Sequence, residues 1–225
     1  MLNPYLDQIR AHADRTRATG QAAYHKVART YLGVPNPVLN DLTRDWRRRL
    51  TLAERVQLAD ALWQSDIFEA RIAAAKLLTQ AGIRPDAAVW DLLQSWLPDF
   101  DSWAIADHAC KAAENRIWAD PARLDDVEHW TGSGQMWTRR AALVATLRWA
   151  RLTDPGPHDL ARRERILGWA AGYVADREWF IQKAVAWWLR DLGKRDPVRA
   201  RAFLAQHATA MKPFARKEAG KYLTD

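Results

Sequence analysis

The residues best suited to chemistry stand at matching places in a repeated pattern. An aromatic opens a helix-like segment at Phe68, Trp103, Trp137, Phe180 and Phe214, with spacings of 35, 34, 43 and 34 residues. At about 100° per residue, positions +3, +4 and +7 from that aromatic share one face of a helix. The +4 row reads Ile72, Asp107, Ala141, Ala184, Glu218, and Asp107 is the charged one among its three middle members. Trp103 stands one turn before it, and Cys110 follows on the same stripe. A carboxylate on an apolar stripe is costly unless paired. It either joins helices through an ion pair, with Arg140 one repeat along as the natural partner, or is held in a groove for a reaction.

The +3 row reads Arg71, Ala106, Arg140, Lys183, Lys217. Four basic residues of five, one repeat apart, make the ladder that a surface tracking phosphates needs. Taken singly, each is also an ordinary solvated helix residue. The +7 row contains Cys110, Val144 and Trp187. Ile181, Val185, Trp188 and Leu192 form the core stripe of their helix at i, i+4, i+7, i+11, which places Trp188 inside. Trp187 lies off that stripe and is a candidate groove residue. Trp103, Asp107, Arg140 and Trp187 thus share an arc of about 100° in repeat register.

One carboxylate, one guanidinium and two indoles suit a cationic, sugar-like transition state beside a phosphate backbone. A fixed carboxylate stabilises an oxocarbenium-like sugar and orients a water. Indole faces attract cations, and arginine grips phosphate through two parallel hydrogen bonds. A purine alkylated at N3 or N7 is already cationic and departs neutral, so no general acid is required. Other chemistries lack support: there is no Gly-rich phosphate loop, no HExxH and no GxSxG. The six histidines (12, 25, 108, 129, 158 and 207) show no ligand spacing. No metal and no cofactor are expected. Cys110 reads as a small buried hydrophobe.

The elements that must position these residues are all helical. No run of alternating β-branched residues suggests a strand. Thr51 with Glu54, and Asp66 with Glu69, have capping-box spacing. Asp120-Pro121 and Asp196-Pro197 read as N-caps followed by Pro at N1. Gly33, Gly82 and Gly193 follow or end helical patterns. About twelve helices are expected, in one domain over 1–225. The period of about 35–40 residues, two helices per unit, indicates an all-α solenoid of HEAT-like repeats with a basic concave face. The long spacing holds the polar insertion RLTDPGPHDL (151–160).

Hydrophobic residues make up 48% of the 225, enough for a sizeable core. A net charge of +7 favours a polyanionic partner. One cysteine excludes an internal disulfide. No apolar run is long enough to span a membrane, and the N-terminus has no signal-peptide pattern. A cytoplasmic monomer without an obligate protein partner is expected. Thirteen tryptophans are far above ordinary usage. Most should fill the core, with a few left to line a groove.

The segments AYHKVARTYLGVPNPVL (23–39), DSWAIAD (101–107), MWTRRAAL (136–143) and QKAVAWWLRDLGKRD (182–196) resemble the AlkD-like DNA alkylation repair glycosylases. The resemblance spans roughly residues 20–222, and the last segment is its most specific part. It implies a curved stack of HEAT-like helical pairs with duplex DNA along a basic face. It also implies metal-free hydrolysis of the N-glycosidic bond of N3- and N7-alkylpurines, without full extrusion of the base. By that resemblance Asp107 falls on the catalytic aspartate and Arg140 on the arginine that accompanies it. Trp103 and Trp187 fall on the cleft tryptophans, and Tyr24 on an aromatic from the N-terminal helix. Ala104 departs from the polar residue often found after the first tryptophan. DNA contacts are expected from Arg71, Arg139, Lys183, Lys194, Arg195 and Lys217. A non-catalytic module that binds damaged or distorted DNA would share the basic ladder, but gains little from a carboxylate facing phosphates.

Overall fold

The computed structural model describes residues 2–223. Among them are fourteen α-helices and no strand, so the chain is all-α, as the periodicity predicts. A single isolated bridge joins Thr30 and Ile67. The chain forms two compact units, 1–119 and 120–225.

The first unit contains α1 (Leu2–Arg10), α2 (Arg15–His25), α3 (Asn36–Arg49), α4 (Leu52–Gln64), α5 (Phe68–Leu77), α6 (Ala87–Ser95) and α7 (Trp103–Ala119). Helices α3, α5 and α7 pack in series, with α4 against α5 and α6 against α7. Helix α5 needs no hydrophilic face: every residue except Lys76 is buried. Stacked Trp63 and Trp96 rings, 4.2 Å apart, fill the space beside it.

The second unit contains α8 (Leu124–Thr131), α9 (Met136–Val144), α10 (Leu147–Ala150), α11 (Pro157–Gly172), α12 (Trp179–Gly193), α13 (Pro197–His207) and α14 (Pro213–Ala219). Here α9, α12 and α14 pack in series, flanked by α8, α10 and α13. The repeat register is realised in both units. The opening aromatic is the first residue of α5 and α7 and the second of α9, α12 and α14.

The caps follow the sequence in part. Thr51 and Glu54 form the capping box of α4. Asp196 caps α13 through the Arg199 N–H, and Asp120 caps the 3-10 turn Pro121–Arg123 that leads into α8. The capping box expected at Asp66 and Glu69 does not form. Asp66 takes a left-handed conformation with φ +54°, and Ile67 is the residue before α5. The Glu69 carboxylate instead accepts the backbone N–H groups of Leu32 (2.9 Å), Gly33 (2.7 Å) and Val34 (3.2 Å). Buried N–H groups need an acceptor, and this loop finds it in a buried side chain. Gly33 likewise ends no helix. Helix α2 stops at His25, and Gly33 lies in the following loop at φ +77°.

The expected insertion is a loop over 151–156, and Pro157 opens α11. Arg163 holds it: this buried guanidinium donates to the carbonyls of Trp149 and Leu152 and pairs with Asp196. Gln182, also buried, donates to the carbonyls of Tyr173, Val174 and Asp176 and accepts the Lys212 N–H. One side chain thereby sets the entries to both α12 and α14.

Candidate active site

In the first unit an aromatic cluster surrounds the start of α7. Trp103 is 37% exposed, although it opens a helix whose next three residues are buried. Tyr24, in the last turn of α2, is 69% exposed and meets Trp103 edge-to-face at 6.3 Å. His25 lies beneath them, 5.6 Å from Trp103 and 4.7 Å from Phe68. Burial, and then the charge of Arg29, lowers the His25 pKa. Arg29 pairs with both Asp66 and Asp101, which anchors the loop that feeds α7.

Asp107 stands one turn beyond Trp103, half-buried. It forms part of the wall of an open cavity of about 590 Å³ bordered by α3, α5 and α7. His108, expected on another face of the helix, lines the same cavity as Asp107, with Nδ1 2.7 Å from the Ala104 carbonyl. Cys110 is buried, in keeping with a small apolar residue.

In the second unit Arg140 is buried, 3% exposed, with its guanidinium 5.7 Å from the Trp137 ring. Trp187 is half-buried and donates its indole N–H to Asp191 at 3.2 Å. Arg151 lies 6.0 Å from the Trp187 ring and pairs with the same carboxylate at 2.9 Å. Together they fix the indole plane. Trp188 is fully buried, as its stripe predicts. Lys183, Lys194, Arg195 and Lys217 are exposed. Lys183 sits 4.7 Å over the Trp179 ring, and Lys194 4.7 Å over Tyr222.

Two members of the expected DNA-contacting set have internal duties. Arg71 is buried: it donates to the carbonyls of Trp63 and Asp99, pairs with Asp66 and stacks on Trp63. Arg139 donates to the carbonyls of Ser133 and Gly134 and pairs with Asp176 at 3.3 Å. Both guanidiniums tie loops to helix starts.

The sequence reading also passed over features that matter. Trp179 is 45% exposed and stacks on Phe214 at 5.5 Å, but its neighbour Phe180 carried the register and drew attention away from it. The row after +7 begins with Lys76 and Lys111, and both line the cavity beside Asp107. Among the described residues no three His, Cys, Asp or Glu side chains come together to hold a metal ion. No helix among them is long and apolar enough to cross a membrane.

Solved structures share this fold, among them the following three. A DNA alkylation repair enzyme of Enterococcus faecalis, described as predicted, aligns over 95% of this chain and 98% of its own, with TM-score 0.81 and 21% identity. The smu.31 protein of Streptococcus mutans UA159 aligns over 83% of this chain and 92% of its own, with TM-score 0.65 and 19% identity. AlkD2 of Streptococcus mutans aligns over 83% and 89%, with TM-score 0.62 and 18% identity. No curated protein sequence matches. The sequence model of the DNA alkylation repair enzymes matches residues 5–223, and the chain therefore belongs to that family.

Proposed function

We propose that the protein is a DNA glycosylase that hydrolyses the N-glycosidic bond of N3- and N7-alkylated purines in duplex DNA. The observation that carries this reading is Asp107. It is a half-buried carboxylate one turn beyond the exposed Trp103, in a chain of the DNA alkylation repair family. As the bond to a cationic base breaks, positive charge builds on the sugar. The Asp107 carboxylate stabilises that charge and orients the attacking water. The open faces of Trp103 and Tyr24 take the cationic nucleotide by stacking and cation–π attraction. In the second unit, Trp187, held flat by Asp191 and Arg151, offers an indole face to DNA, and Arg140 offers a guanidinium to phosphate. Exposed Lys183, Lys194, Arg195 and Lys217 contact the backbone. The alkylated base leaves as a neutral molecule, so neither a general acid nor a metal has a step to perform.

The test is release of free methylated base from alkylated duplex DNA by the wild type and by Asp107→Asn. The variant should keep its DNA affinity and lose about a hundredfold or more in release rate, the size of effect seen when a preorganised electrostatic group is removed. Normal release by Asp107→Asn would remove the carboxylate from the mechanism. Binding without release by the wild type would instead make the protein a lesion-binding module.

A further inference from the structure

The cavity in the first unit is lined by nine residues, of which Arg44, Arg47, Lys76 and Lys111 are cationic and Asp107 alone is a carboxylate. Each of the helices α3, α5 and α7 contributes cations, so the arrangement is a product of the fold and not of one basic run. The two inner cations bond to neutral oxygens. Arg47 donates to the Lys76 carbonyl at 2.7 Å, and Lys76 Nζ to the Asn40 side chain at 2.6 Å. Among the described residues neither pairs with a carboxylate. The outer two have acidic neighbours outside the lining: Arg44 pairs with Asp41 on the surface, and Lys111 with Glu114.

Such a cluster opposes itself. Burial, and then the nearby Arg47 charge, pushes the Lys76 ammonium below its ordinary pKa. Burial, followed by Arg55 and Arg44, does the same to Arg47. Like charges gathered around an open volume are relieved by an anion, and guanidinium and ammonium donors both suit phosphate oxygens. At about 590 Å³ the cavity exceeds what one phosphate needs and leaves room for the adjoining sugars. Lys111 stands one turn beyond Asp107 on α7, so an anion held there places its strand beside that carboxylate.

We propose that this cavity holds a backbone phosphodiester of the DNA strand, gripped by Arg44, Arg47, Lys76 and Lys111, and that these are positioning residues for Asp107. The inference rests on the reading of DNA as the substrate. It adds a specific anchoring point that the repeat ladder did not contain.

The experiment compares wild type, the double variant Arg44→Gln/Lys76→Met, Lys76→Arg, and the single variant Arg44→Glu at an exposed position. The probe is a duplex with a tetrahydrofuran abasic analogue at its centre. Dissociation constants are measured across a salt series, and base release from alkylated duplex is followed in parallel. The double variant should bind about tenfold more weakly, and its log–log salt slope should fall by about one, the loss of one phosphate contact. KM for base release should rise by a similar factor, with a smaller change in the rate at saturation. Lys76→Arg, which keeps the charge, should bind as tightly as the wild type. Unchanged affinity and slope in the double variant, with an unchanged melting temperature, would overturn the proposal. If the double variant does not fold, Arg44→Glu decides, because an unaltered slope there has the same meaning. A wild type that binds the duplex but releases no base refutes the excision reading alone, and the variants still decide the cavity. A wild type that binds no DNA overturns both.

Discussion

Eight of the thirteen tryptophans are buried, and that separates their roles. Trp63, Trp96, Trp149 and Trp188 are core ballast, while Trp103 and Trp179 keep a face open to solvent. An indole left 37% exposed one turn before a half-buried carboxylate has more to gain from a ligand than from packing. Trp103→Ala should therefore separate function from stability. Loss of a stacking face costs about 1–3 kcal/mol per base, or roughly 5- to 150-fold in kcat/KM for excision. Thermal stability should fall by only about 1 kcal/mol, the usual size for a partly exposed truncation. Steady-state excision and a melting curve on the same preparation check both halves. Equal losses in the two would make Trp103 a packing residue. The periodicity alone shows Trp188 as core and Trp187 as off-core. It does not show that Trp187 is locked by Asp191 and Arg151, because that contact depends on which rotamers α12 and the residue after α10 select together.

At the scale of elements, the joints carry information that the helices do not. The loop after α2 has no regular partner for its N–H groups, and Glu69 supplies one from the first turn of α5. An added Cβ at Gly33 would stand 2.1 Å from the Asp14 carbonyl oxygen, on a backbone already at φ +77°. Gly33→Ala must therefore move the chain between α2 and α3. We expect a loss of about 3 kcal/mol, from overpacking and left-handed strain together. Chemical denaturation should show a lower midpoint with an unchanged slope. A midpoint within error of wild type would mean that the loop relaxes without cost. The sequence pattern announced Glu69 as half of a capping box because spacing is blind to which face the side chain takes. The box at Thr51 and Glu54 forms because neither residue is buried and nothing competes for them. Helix types, the opening aromatics and the cap at Asp196 were legible because local forces alone decide them. The four-residue α10 and the Gln182 hub were not, since each depends on neighbours far along the chain.

For the molecule as a whole, the charge of +7 understates how unequal its cations are. Arg71, Arg116, Arg140 and Arg163 are buried. Arg116 illustrates the internal use of arginine: it donates to the carbonyls of Ile83 and Gln80 and pairs with Asp86. A sequence shows a buried arginine and an exposed one as the same letter, so the basic ladder mixes both kinds. Lys183, Lys194, Arg195 and Lys217 remain exposed, with Lys194 3.5 Å from the Asp191 carboxylate. Each phosphate neutralised by such a residue releases counterions, giving a log–log salt slope of about −0.9 per contact on duplex DNA. If the exposed set and the cavity cations act together, affinity for undamaged duplex should fall with a slope of about −4 to −6 between low and physiological salt. Lys194→Ala should lower affinity on every sequence alike and reduce the slope by about one, because a phosphate contact carries no base information. A flat salt dependence would assign the exposed lysines to solvation. A sequence-dependent loss at Lys194→Ala would move that residue from the backbone to a base edge.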